Sequence, residues 1–292
     1  MTIEATRDQA PGTILHRPRM ISEGGVAMSN RRLSHNQPLH PVVPPNLSVK
    51  VVGLGGVGGI VARYLAMFLA SLQQPARMVL IDGDLFEQGN ASRMFFSEHG
   101  NKASVTRADL LPHVADSQLA LVAIEEYLQP DNLDRLLREE DLVLLCVDNH
   151  ATRKLVSEHC GKLNDVSLIS GGNDGVGEDG HGRTLRGTYG NVQIYLRQGG
   201  RDASPTLTRY HPEIHKPADK LPTDLSCTDL IGSVPQIVFT NLATASAMLN
   251  ATWLLLCGAL HYSELCFDIA EGLMRPAGLP APHMEEAAEA VA

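Results

Sequence analysis

Short, mostly apolar runs alternate with longer segments whose apolar residues recur at helical spacing. Residues 47–54 form an apolar run that ends in glycines, and 56–72 continues with a helix-compatible pattern. The same reading predicts strands over 77–81, 119–124, 142–147 and 166–170, with helices over 102–111, 131–139 and 151–163 between them. The 142–147 run carries no charge until Asp148 at its end, as a parallel strand buried on both faces does. Beyond 170 the pattern changes. Residues 171–190 are glycine-rich and read as loop, 190–196 alternates as an antiparallel strand does, and 199–229 is a long polar stretch punctuated by proline. Loops of that length in compact domains are usually functional or disordered. A long helix is expected over 234–256 and a last strand over 264–269, before a Pro/Ala/Glu tail at 276–292. Strand and helix alternating, then antiparallel strands, predicts an α/β fold: a doubly wound, mostly parallel Rossmann-like sheet with an antiparallel C-terminal extension. Residues 1–46 lack periodicity and read as a flexible N-terminal arm before a nucleotide-binding domain over 47–275.

The turn after the first strand, VVGLGGVGGI over 51–60, places Gly53, Gly55 and Gly58 at G-x-G-x-x-G spacing, with Gly56 between them. Strand, glycine turn and helix make a nucleotide-phosphate cradle, in which the helix N-terminus offers free N–H groups and its positive dipole end to an anion. The second strand ends at Asp82, where a ribose hydroxyl needs an acceptor. This pattern alone fits NAD, FAD or ATP equally.

Composition narrows the classes. A net charge of −9 and an aromatic share of 4% argue against non-specific nucleic-acid binding and base-stacking platforms. The five cysteines, Cys146, Cys160, Cys227, Cys257 and Cys266, include no C-x-x-C pair, and no signal-peptide core precedes them. A reduced, cytoplasmic setting is the simplest reading. No window reaches the ~20 apolar residues of a membrane span; 243–260 comes nearest and reads as a buried helix.

Past Asp82 the chain continues through Asp84, Asn90 and Arg93, then Gly100-Asn-Lys102-Ala, and later Cys146-Val-Asp148-Asn149 with Arg153 four residues on. A glycine turn followed in order by D-x-D, N-x-x-R, a lysine and D-N-x-x-x-R resembles the ThiF/MoeB/HesA adenylyltransferases, relatives of ubiquitin-activating enzymes. The resemblance covers roughly residues 50–270. It implies ATP-dependent adenylation of the C-terminal carboxylate of a small ubiquitin-like or sulfur-carrier protein by a homodimeric enzyme. Arg93 and Lys102 would neutralise the phosphates, Asn90 would bond phosphate or ribose, Asp82 would take the ribose, and Asp148 would hold Mg²⁺. Gly53, Gly55, Gly56, Gly58, Asp84 and Asn149 complete the expected nucleotide site. Taken alone, Arg153 reads better as structural, and Asp84 can equally order its own loop.

Two C-x-x-C zinc pairs found in many members are missing, so no zinc is expected. The nine-residue spacing from Arg93 to Lys102 indicates a trimmed loop. The C-terminal third resembles a divergent bacterial ThiF-like branch such as the plasmid-associated PRTRC type. Cys227, on the long loop before the final helix, is a candidate thioester or sulfur-transfer nucleophile, against the simpler reading of a packing or exposed thiol. Two other readings stay open: an NAD(P)-dependent oxidoreductase on the same glycine turn, and a non-catalytic nucleotide-binding scaffold.

Overall fold

The computed structural model describes residues 38–86, 97–178, 184–224 and 236–278. Five parallel strands form the heart of the sheet: β1 (Leu47–Val52), β2 (Ala76–Ile81), β5 (Leu119–Ile124), β6 (Leu142–Leu145) and β7 (Val166–Asn173). A two-stranded ribbon, β3 (Leu85–Phe86) with β4 (Gly100–Asn101), leaves the sheet after β2. A hairpin, β8 (Val176–Glu178) with β9 (Thr184–Arg186), follows β7. The extension is antiparallel: β10 (Tyr189–Gln198) pairs with β7, β11 (Arg201–Asp202) with β10, β12 (Tyr262–Asp268) with β10, and β13 (Leu273–Gly278) with β12. The order across the sheet is β13-β12-β10-β7-β6-β1-β2-β5.

Helices cover both faces because alternate strand residues are apolar on both. Val49 and Val51 of β1 join a core with Val61, Leu65 and Leu69 of α1 (Gly58–Ser71), Leu110 of α2 (Lys102–Val114) and Met248 and Leu255 of α6 (Val238–Leu256). Val52 and Val143 point the other way. They pack with Leu133 and Leu136 of α3 (Leu133–Leu136), Val156 and Cys160 of α4 (His150–Cys160) and Ile214 of α5 (Pro212–His215). One polar exception is paired: Lys50, buried within β1, lies 3.6 Å from the buried Asp141 carboxylate.

The doubly wound sheet with an antiparallel extension agrees with the sequence reading; several elements differ in extent. The helix expected over 131–139 is the single turn α3, because Leu137 takes extended backbone to bury its side chain fully. The glycine-rich 171–190 segment holds the end of β7 and the β8–β9 hairpin rather than loop alone. The last strand expected at 264–269 is β12, and a further strand, β13, runs through 273–278, into the expected tail. Its solvent-facing side chains hide the strand from a hydrophobic pattern. Among the described residues no helix is long and apolar enough to cross a membrane.

Candidate active site

The glycine turn lies where the chain leaves β1 between β2 and β6. Gly53 donates its N–H to the Ile81 carbonyl at 2.9 Å, and Cys146 donates to the Val52 carbonyl at 2.8 Å, so the C-terminal ends of β1, β2 and β6 are aligned. β1 sends its chain through α1 to β2 on one side, while β6 lies on its other side, which makes this the reversal point of the sheet. Ligands of open α/β sheets sit at such a point. Gly53 has a φ of +80°, which side chains disfavour. A Cβ on Gly58 would stand 1.8 Å from the Gly53 carbonyl oxygen, so only glycine lets α1 start this close to its strand. α1 begins without a side-chain cap and without an acid in its first turn; the Gly59 and Ile60 N–H groups bond back to the Gly55 and Val57 carbonyls, which leaves those of Val57 and Gly58 to meet an anion.

Asp82 grips this turn. One carboxylate oxygen accepts the Leu54 N–H at 2.5 Å and the other accepts the Asp84 N–H at 2.8 Å. Burial pushes the Asp82 carboxyl above its ordinary range, against the pull of Lys102 and of the two N–H groups. Asp84 accepts Lys102 Nζ at 2.7 Å on one oxygen and the Tyr127 hydroxyl on the other. The β3–β4 ribbon sets this up, since the Lys102 N–H donates to the Asp84 carbonyl at 2.9 Å. Asn101, buried just before α2, donates to the carbonyls of Asp82 and Asp84 and caps the helix by accepting from Ala103 and Ser104. Lys102 is thus a buried cation held at the lip of the second strand, within electrostatic reach of Asp82.

Asp148 stands exposed beyond β6, two residues after Cys146, whose backbone lies 3.1 Å from where a Gly53 Cβ would sit. Its neighbour Asn149 caps α4, accepting the Thr152 N–H at 2.7 Å. Arg153 is buried and ties strand ends together, donating to the Val147 and Gly171 carbonyls at 2.9 Å each and to Ser170 at 3.3 Å. Burial lowers its pKa, with Asp148 the strongest charge acting against that. Asp219, from the long 199–229 segment, accepts the N–H groups of His150 and Ala151 at 2.7 and 2.8 Å, and so brings that segment over the start of α4. Asn90 and Arg93 lie outside the described residues, as does Cys227.

Residues 45–255 match the ThiF family. The chain belongs to that family. It is 30% identical over 112 residues to the protein HesA of Leptolyngbya boryana, covering 38% of this chain and 39% of that one. To ubiquitin-like modifier-activating enzyme 5 of Oryza sativa subsp. japonica it is 28% identical over 140 residues, 42% of this chain and 32% of the relative. To adenylyltransferase and sulfurtransferase MOCS3-1 of Zea mays it is 32% identical over 127 residues, 42% of this chain and 26% of the relative. The matches thus span between about a quarter and two fifths of these relatives' lengths. Among solved structures, E. coli MccB with ATP superposes with a TM-score of 0.57 at 15% identity, over 82% of this chain and 65% of that one. PaaA superposes with a TM-score of 0.54 at 16% identity, over 80% of this chain and 64% of that one. These likenesses show the fold.

Within this ThiF-family fold the structure gathers Gly53, Gly55, Gly56, Gly58, Asp82, Asp84 and Lys102 around one strand-end crevice, with Asp148 and Asn149 on its β6 side. Residue patterns alone pass over Tyr127, Asp219 and Asn101, though the last had a signal: asparagine directly before a helical run is a capping residue. Among the described residues no group of three or more His, Cys, Asp or Glu side chains gathers as a metal cluster. One exposed carboxylate is still the donor set that suits Mg²⁺, which keeps several waters and binds through one or two carboxylates plus phosphate oxygens. Asp148 fits that requirement; Asp84, spent on Lys102 and Tyr127, does not.

Proposed function

We propose that this protein uses ATP to adenylate the C-terminal carboxylate of a small ubiquitin-like or sulfur-carrier protein. A carboxylate oxygen attacks the α-phosphorus, the bond from that phosphorus to the bridging oxygen of the β-phosphate breaks, and pyrophosphate leaves with the electron pair. The observation that carries this reading is the convergence of an uncapped helix behind a glycine turn, a buried lysine and an exposed carboxylate at one strand-end crevice. Hydride transfer needs neither Lys102 nor Asp148; phosphate transfer needs positive charge and an oxygen ligand for a metal. The names of two relatives, a modifier-activating enzyme and an adenylyltransferase, support it, as does MccB having been solved with AMPCPP and MccA.

In this reading the N–H groups at the start of α1 and the backbone of the glycine turn hold phosphate oxygens. Lys102 supplies a fixed cation, with Arg93 and Asn90 added to it, and Asp82 keeps the turn in shape beside the ribose. Asp148, with Asn149 behind it, would hold Mg²⁺, which neutralises charge spreading onto the phosphates. Cys227 is proposed as the acceptor of the activated acyl group in any thioester step. Chain pairing into a homodimer completes the proposal.

The test has two parts. ATP with Mg²⁺ is expected to raise the melting temperature more than NAD or NADP does, by mass action. Asp148→Ala is then expected to stay folded and to lose acceptor-dependent ATP–pyrophosphate exchange by on the order of a thousandfold. Tighter binding of NAD than of ATP would instead favour the oxidoreductase.

A further inference from the structure

Among the described residues, the one buried carboxamide with both polar atoms unmatched belongs to α6. Asn241 is fully buried, and neither its amide nitrogen nor its amide oxygen has a hydrogen-bond partner. A primary amide has two donors and two acceptor lone pairs to fill, and buried groups of this kind are nearly always paired. The rest of α6 obeys that rule. The Asn241 backbone N–H donates to Ile237 at 3.1 Å, the Thr240 hydroxyl donates to Gly187 at 2.6 Å, and the Thr244 hydroxyl donates to Thr240 at 2.9 Å. The unmatched amide is also not placed at random. It lies against Gly56, where an added Cβ would stand 2.2 Å from its nitrogen, and the Gln236 amide oxygen is 3.6 Å from the same point. Two carboxamides therefore converge on Gly56 of the glycine turn, beside the uncapped N-terminus of α1.

We propose that Asn241 is a nucleotide-binding residue of this site, its amide donating to a phosphate oxygen that the glycine turn holds. The proposal rests on the ATP reading above. It explains why an amide without a partner occupies a fully buried position on α6, where the buried threonine hydroxyls are matched, and why Gly56 is glycine: any side chain there would occupy the place of the amide. An amide in this position carries a cost in the nucleotide-free protein, and a bound anion removes the part that belongs to its nitrogen.

That sign is what the experiment reads. Wild type, Asn241→Leu and Asn241→Ala are compared for melting temperature without nucleotide and for ATP affinity by calorimetric titration. Asn241→Leu is expected to melt at or above the wild-type temperature, since it replaces an unmatched amide by an apolar group of similar volume, and to bind ATP about tenfold more weakly or worse, as loss of a hydrogen bond to a charged group requires. Asn241→Ala, a good helix residue, is expected to show the same weakening should leucine not fit. ATP affinity within twofold of wild type in either folded variant overturns the inference and leaves the ATP reading intact. No ATP binding by the wild type overturns both.

Discussion

At the scale of single residues, two adjacent glycines separate what the turn requires from what it merely contains. A Cβ on Gly58 would sit 1.8 Å from a backbone oxygen, whereas at Gly59 the nearest atom is the Leu54 carbonyl oxygen at 3.7 Å. Backbone cannot yield as a flexible side chain does, so Gly58→Ala must push α1 off β1. The expected cost is about 3 kcal/mol or more, which at roughly 2–4 °C per kcal/mol lowers the melting temperature by about 6–12 °C. ATP binding should fall with it, because α1 carries the N–H groups proposed to hold phosphate oxygens. Gly59→Ala is expected to leave stability unchanged or raise it by up to about 1 kcal/mol. Parallel thermal melts of the two variants decide this, and equal losses would refute the close-approach argument. Gly53, Gly55 and Gly58 were legible in the sequence because a strict spacing follows a strand. Asn241 and Tyr127 were not, since each meets the site only through the fold: α6 is remote in sequence from Gly56, and Tyr127 reaches Asp84 from the end of β5.

Between elements, the long segment after β10 is fastened to the sheet by a charge cluster. His211, at the start of α5, lies 3.0 Å from Glu264 of β12 through one ring nitrogen and 2.9 Å from Glu213 through the other. The Glu264 hydrogen bond, with Glu213 added, raises the His211 pKa despite burial. The same His211 bond chiefly lowers Glu264, with Asn191 and Cys266 adding to it. For Glu213 burial pushes upward, but its backbone bond and His211 together bring it below the ordinary range. The signs set a window. A histidine with a raised pKa contributes stability below its unfolded value of about 6.5 and loses it as pH rises through the folded value; the depressed glutamates contribute above about 4.5 and lose it as pH falls. The fastening is strongest between about pH 4.5 and 6.5. His211→Gln is therefore expected to destabilise most near pH 5.5 and progressively less in alkaline solution, and melting curves across pH 4–9 check it; a pH-independent difference would make His211 a packing residue only. The parallel strands and their helices were legible because apolar runs and helical periods alternate there. The extension was only partly so. β13 shows exposed residues at 273–276, and α3 is cut short because Leu137 gains more from burial than from one more helical turn.

Over the whole molecule, α1 and α6 pack together on one face of the sheet, and both turn apolar side chains outward. Tyr64 and Met67 of α1 are 54% and 55% exposed, and on α6 Phe239 is 68% exposed with Val238 and Leu242 beside it at 38% and 42%. Single exposed apolar residues are ordinary; several on two neighbouring helices are what the proposed pairing would cover. The helices explain themselves on that basis: α6 is apolar nearly all round, as a helix covered on both sides is. A second copy of the chain is the partner proposed for this face, because a two-fold axis lets the same patch cover itself. The face includes the start of α6, whose Asn241 lies against Gly56, so pairing would also rigidify the glycine turn. The wild type is expected to sediment as a dimer at micromolar concentration. The double variant Met67→Glu with Phe239→Glu places like charges on both copies of the patch; it is expected to sediment as a monomer with an unchanged far-UV spectrum and weaker ATP binding. A monomeric wild type, or a double variant that stays dimeric, would assign this face to another partner.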